Sequence, residues 1–168
     1  MNKISLKEVV NYTTQKISST ELNIDTYIST DNILQNKQGI TSSLQLPVIS
    51  GNIPKYDAGN ILVSNIRPYL KKIYYAKKSG GVSNDVLTFQ VKETFDSKFV
   101  YYSLFQDSFF EHMMSGSKGT KMPRGDKRQI LDYKISKFDL LTQQKIASVL
   151  SALDDKIELN NRINAELE

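Results

Sequence analysis

Two short segments of this chain combine positive charge with the side chains that read nucleic acid. They are NIRPYLKK, from Asn65 to Lys72, and SKGTKMPRGDKR, from Ser117 to Arg128. An arginine can make a bidentate contact to guanine and an asparagine to adenine. Threonine and methionine offer apolar contact to a thymine methyl, and lysine meets phosphate. The candidate contacts in duplex DNA are therefore Asn65, Arg67, Tyr69, Lys71, Lys72, Lys118, Thr120, Lys121, Arg124 and Lys127. Glycines beside the lysines let the backbone come close to a phosphate and turn its N–H groups towards it. The run Gly119-Thr120-Lys121 lacks the spacing of a nucleotide phosphate loop, so nucleotide binding is not expected.

A second, catalytic reading starts from Asp85, Gln90 and Lys92. An acid, a Gln and a Lys at such positions faintly resemble nuclease sites that hold magnesium and activate water. Alternation along a strand puts Gln90 and Lys92 on one face, but no pair of carboxylates accompanies them, and the pattern is short enough to arise by chance. A methyltransferase would need a glycine-rich cofactor loop and an Asn/Asp-Pro-Pro-aromatic tetrad, and neither occurs. His112 lies in an aromatic, helix-like run, and no nucleophile elbow supports serine hydrolysis. The lack of cysteine and the single histidine argue against zinc as structure or catalyst; no metal and no cofactor are expected.

Charge is unevenly spread. The chain carries a net +4, yet residues 142–168 hold three bases against five acids, which leaves +6 on the rest. Arg67, Lys71, Lys72, Lys77 and Lys78 stand together without an acid, and Lys118 to Arg128 adds five bases against Asp126 alone. Concentrated positive charge of this kind suits phosphate binding through counterion release, although a solvated lysine-rich surface would look the same on charge alone.

The elements that must position these residues can be sketched from patterning. Ser5 and Glu8 form a capping-box pattern ahead of Val9 and Val10. From Asn11 to Asn52 the chain is rich in Ser, Thr, Asn and Gln, with short strands expected at Tyr27-Ile28 and Pro47-Val48-Ile49. Three β-rich runs, Ile61 to Ile66, Leu70 to Ala76 and Val86 to Val91, predict a sheet, with a turn at Gly80-Gly81. Asp96 or Ser97 caps an expected helix through Phe99, Val100, Leu104, Phe105, Phe109, Met113 and Met114, ending at Gly116, with its aromatic face in the core. A loop from Ser115 to Gln129 follows, then a short helix and a strand.

From Leu141 to Glu168 the sequence predicts one amphipathic helix roughly 40 Å long. Its seam runs Ile146, Leu150, Leu153, Ile157, Asn160, Asn164, Leu167, in steps of four and three that suit a coiled coil. Thr142 is the expected cap, with Leu141 and Ile146 placed as a hydrophobic staple. Asparagines in a seam fix register and partner, which favours pairing with another helix over folding back on the same domain. The expected fold is α+β: a mixed small-sheet domain with short helices over residues 1–140, then one long C-terminal helix over 141–168 suited to assembly. No basic-apolar leader and no run of membrane length is present, so a cytoplasmic protein without membrane contact is expected.

With QQKIASVLSALDDKIELNNRINAELE at the C-terminus and ILVSNIRPYLKKI, SNDVLTF and SKGTKMPRGDK within the domain, the chain resembles one half of a type I restriction-modification specificity subunit. The likeness covers nearly the whole chain. The helix start departs from the family habit of Pro-Pro-Leu, having Asp139-Leu140-Leu141-Thr142-Gln143-Gln144 instead. The resemblance implies a non-catalytic protein that reads one half of a split double-stranded DNA site, with residues 1–140 as a mixed α+β target recognition domain and 141–168 as a conserved spacer or dimerisation helix. It also implies that modification subunits, which methylate adenine with S-adenosylmethionine, and an ATP-driven restriction subunit join it. A single-domain chain could complete the paired arrangement as a homodimer through its C-terminal helix.

Overall fold

The computed structural model describes residues 2–47 and 50–168. In chain order the elements are β1 (Lys3–Ser5), α1 (Leu6–Val9), β2 (Val10–Tyr12), β3 (Lys16–Ser18), β4 (Tyr27–Ile28), β5 (Asn52–Tyr56), β6 (Ile61–Ser64) and β7 (Ile73–Tyr75). There follow β8 (Gly80–Val82), β9 (Val86–Val91), α2 (Ser97–Leu104), α3 (Asp107–Ser115), α4 (Lys127–Ile130), β10 (Lys134–Ser136) and α5 (Leu140–Leu167). The strand expected at Pro47-Val48-Ile49 falls on Val48 and Ile49, outside the described residues.

The central sheet has the order β2-β9-β6-β7, with every neighbouring pair antiparallel. Strand β6 reads Ile-Leu-Val-Ser and is buried along its whole length, because both faces of the sheet are covered. Ile61 and Val63 enter a core with Phe89 from β9 and with Leu104, Phe109, Phe110 and Met113 from α2 and α3. Leu62, on the opposite face, packs with Ile28, Ile33, Tyr56 and Val82. That second core is closed by the other sheet, ordered β3-β5-β8-β4, in which β4 runs parallel to β8. The strands β1 and β10 pair antiparallel and tie the two chain ends of the domain together.

Four local expectations are corrected. Gly80-Gly81 is not a turn: it lies in β8, where a side chain on Gly80 would strike the Thr26 carbonyl. The expected single aromatic helix is two, because Gln106 is extended (φ −80°, ψ 146°). In one continuous helix Leu104 and Phe109 would point about 140° apart; the break lets both enter one core. Ser5 does not close a capping box, and its hydroxyl donates instead to the Leu131 carbonyl at 3.0 Å. Finally, the long helix begins at Leu140 with Asp139 as its cap, the carboxylate accepting the Thr142 N–H at 2.7 Å, so the Thr142 cap and its staple do not form.

Helix α5 buries side chains against α2 through its first turns. Gln143 and Ala147 are buried there, and the Gln143 amide accepts from the Asp96 N–H at 2.9 Å and donates to the Phe138 carbonyl at 2.8 Å. Further out, polar contacts replace apolar ones: Lys98 to Ser151 at 2.9 Å, Tyr102 to Asp154 at 2.6 Å and Lys77 to Glu158 at 3.4 Å. These contacts occupy one face. The seam lies roughly 100° around the helix from Ala147, so Ile146 and Leu150 are partly covered while Leu153, Ile157, Asn160, Asn164 and Leu167 are exposed. No helix among the described residues is long and apolar enough to cross a membrane.

Candidate nucleic-acid interface

The backbone joins the two cationic segments. Ile66 and Arg124 form an antiparallel bridge, the Arg67 N–H donates to the Pro123 carbonyl at 2.8 Å, and the Gly125 N–H donates to the Asn65 carbonyl at 3.1 Å. Lys118 and Arg124 exchange two backbone hydrogen bonds, 3.0 and 2.9 Å, and so close a tight loop over residues 119–123 that Gly119 turns with φ 94°. The glycines and proline of Ser115 to Gln129 predict an irregular loop, but this pairing and α4 order much of it.

On this frame Arg67, Tyr69, Lys118, Thr120, Lys121 and Arg124 are exposed, as is Met122 at the loop tip. Arg124 does not stand free: its guanidinium meets the Asp85 carboxylate at 3.1 Å. Lys71 is paired with Asp107 at 3.1 Å, and Asp107 also takes Lys37 at 2.7 Å. The ammonium groups of Lys37 and then Lys71 hold the Asp107 carboxyl below the usual aspartate range.

Three expected contacts are placed elsewhere. Asn65 is 5% exposed; its amide donates to the Gly125 carbonyl at 3.2 Å, so it staples the two segments and presents no edge to a ligand. The Lys72 ammonium donates to the Thr30 carbonyl at 2.6 Å and fastens a neighbouring loop. Lys127 sits apart, over the Tyr12 ring at 5.9 Å, and the Tyr12 hydroxyl donates to the Lys127 carbonyl at 2.8 Å.

The nuclease constellation does not assemble. Asp85 precedes one end of β9 and Lys92 follows the other, about 20 Å apart at strand rise. Asp85 is engaged by Arg124, and the Lys92 ammonium donates to the Lys7 carbonyl at 3.2 Å. Among the described residues no three acids or histidines cluster to hold a metal.

The chain is thus a mixed domain of two four-stranded sheets and a small β1-β10 pair, which joins two cationic loops at its surface and projects a partly docked helix. Residues 1–168 match the family model described as "Type I restriction modification DNA specificity domain", and the chain belongs to that family. It is 28% identical over 155 residues to the type I restriction enzyme HindI specificity subunit of Haemophilus influenzae, a match covering 84% of this chain and 32% of that protein. The crystal structure of the HsdS subunit from Thermoanaerobacter tengcongensis superimposes with a TM-score of 0.69 at 18% identity, over 98% of this chain and 45% of that one. The S subunit of a type I restriction-modification system from M. genitalium gives 0.64 at 17% identity, over 94% and 40%. This chain thus spans about a third of the curated relative and under half of these structures.

Proposed function

We propose that residues 1–140 read one half of a bipartite site in duplex DNA and that the helix over 141–168 pairs with another helix. In this reading the chain has no catalysis of its own and directs modification and restriction subunits to the site. The observation that carries the reading is the Ile66–Arg124 bridge, which brings two sequence-distant cationic segments to one place on a fold of this family. Arg67 and Arg124 are the base-reading candidates; Lys71, Lys118 and Lys121 meet phosphate; Tyr69 and Thr120 make apolar or hydroxyl contacts.

The test is selection from a randomised duplex pool by the full chain assembled with modification subunits, followed by salt titration. Lys121→Ala weakens all duplexes alike and lowers the salt slope by about 1, whereas Arg67→Ala relaxes one position of the consensus by about 1–3 kcal/mol. Recovery of no consensus by the unaltered chain overturns the reading. Cleavage of plasmid by the purified chain with magnesium would restore the nuclease alternative.

A further inference from the structure

The loop Ser29 to Gly39 carries little charge and none of the motif residues, yet it is bound to the centre of the cationic surface. Its base is closed by Asn32, a buried amide that accepts from the Ser29 N–H at 2.6 Å and donates to the Thr41 carbonyl at 3.0 Å. Its two limbs are bridged by Ile33 and Ile40, and the Leu34 N–H donates to the Gly39 carbonyl at 2.8 Å. Ile33 is fully buried in the second core. The tip is then fixed on the Arg67–Lys71 turn: the Asn36 N–H donates to the Leu70 carbonyl at 2.9 Å and the Lys37 N–H to the Lys71 carbonyl at 2.8 Å. The Lys37 ammonium, over the Phe105 ring at 5.1 Å, adds its ion pair to Asp107.

Among the described residues the non-glycine residues with positive φ are Asn36, Lys37, Arg67 and Lys71, and all four lie at this one junction. Non-glycine side chains adopt such conformations only where the surrounding structure holds them there. These conformations sit where two segments about 30 residues apart in sequence meet, and the side chains of Gln35, Asn36 and Gln38 are exposed on a tip whose backbone is bonded to Leu70 and Lys71, in the turn that begins at Arg67. Three carboxamides on a rigid tip are suited to one base in particular. A carboxamide oxygen accepts from the adenine N6 amino group while its NH2 donates to N7. A preformed loop makes that contact without the entropy loss of ordering on binding.

We infer that Gln35, Asn36 and Gln38 form a third base-reading element, one that recognises an adenine in the major groove beside the base read by Arg67. This rests on the DNA-recognition reading above. The test uses the full chain assembled with modification subunits and a randomised duplex pool, comparing the unaltered chain with Asn36→Gly, Gln35→Ala and Gln38→Ala. Glycine adopts φ near 56° without strain, so Asn36→Gly removes the amide and keeps the loop; the other two substitutions are at exposed positions and serve independently. The expected result is that at least one variant loses about tenfold in preference for adenine at a single consensus position, with affinity for non-cognate duplex and its salt slope unchanged. An unaltered consensus in all three variants overturns the inference while leaving the wider reading intact. Uniform weakening on every duplex also overturns it, by assigning the amides to phosphate. If the unaltered chain itself selects nothing, the wider reading fails and this inference with it.

Discussion

Arg124 is held by its backbone on both sides, through Ile66 and Lys118, and by Asp85 at its guanidinium. With the arginine side chain 53% and the aspartate 35% exposed, such a pair adds under about 1 kcal/mol to stability, so its main effect is to aim the guanidinium. Asp85→Ala should therefore leave the thermal melt nearly unchanged while, if Arg124 reads a base as proposed, selectivity at that one position drops by about tenfold. A melt lowered by several degrees with selectivity intact would assign the pair to folding instead. Gly80 makes a purely structural counterpart. A Cβ there meets the Thr26 carbonyl, which is backbone and cannot rotate away, and the Tyr56 hydroxyl besides. Gly80→Ala should lower unfolding free energy by about 1–3 kcal/mol in denaturant titration.

Helix starts show how far element boundaries can be read from sequence. Asp96 is legible as a cap and accepts the Phe99 N–H at 2.8 Å. At α5 both Asp139 and Thr142 have capping side chains, and the choice falls to Asp139 because Leu140, Thr142 and Gln143 are already needed as helix, the last of them buried against α2. Strands β6 and β9 are legible because their apolar runs are long; β8 is not, since Gly-Gly marks turns and close approaches alike. The two cationic segments announce themselves by charge. The loop at Gln35 to Gln38 does not, because its place depends on backbone hydrogen bonds to residues far along the chain. Caps also set an acid response. Hydrogen bonds from the Gln129 and Arg128 N–H groups depress the Asp126 carboxyl, and that of Thr142 depresses Asp139. A depressed folded pKa means the unfolded chain binds more protons, so this stabilisation is complete above the ordinary aspartate range near about 3.9 and is lost as pH falls through the folded values. Asp126→Asn keeps a capping oxygen but no titration, and thermal melts from neutral to acidic pH should show a shallower acid loss than the unaltered chain. Burial decides the cost of truncation in the same way: Leu104→Ala, in the core at 0% exposure, should remove about 2–5 kcal/mol in denaturant titration.

For the molecule as a whole, the distribution of charge and of uncovered apolar surface separates two surfaces of different use. The domain carries +6 and the helical segment over 142–168 carries −2, so a polyanion is drawn to the first and held off the second. On α5 the domain covers one face and leaves Leu153 at 54%, Ile157 at 57% and Leu167 at 80% exposed. In water such a stripe is stabilised by pairing, at about 25 cal/mol per Å² of apolar area covered. Asn160 and Asn164 share the seam and oppose slippage by one heptad or by partial overlap, since an unpaired amide facing leucine loses its hydrogen bonds. If the helix pairs as proposed, a second copy of the chain would supply a matching seam, and two-fold symmetry would set the two proposed recognition domains on a shared stalk, the arrangement that suits a split palindromic site. Sedimentation of the full chain should accordingly show mass rising from 19.1 kDa towards twice that value with concentration. Leu153→Gln combined with Ile157→Gln should hold it at the monomer value without shifting the melt of the domain, because neither residue touches the core. A strictly monomeric chain at high micromolar concentration would instead leave the seam to a helix on a different polypeptide, and the spacing between half-sites would then be set by that partner.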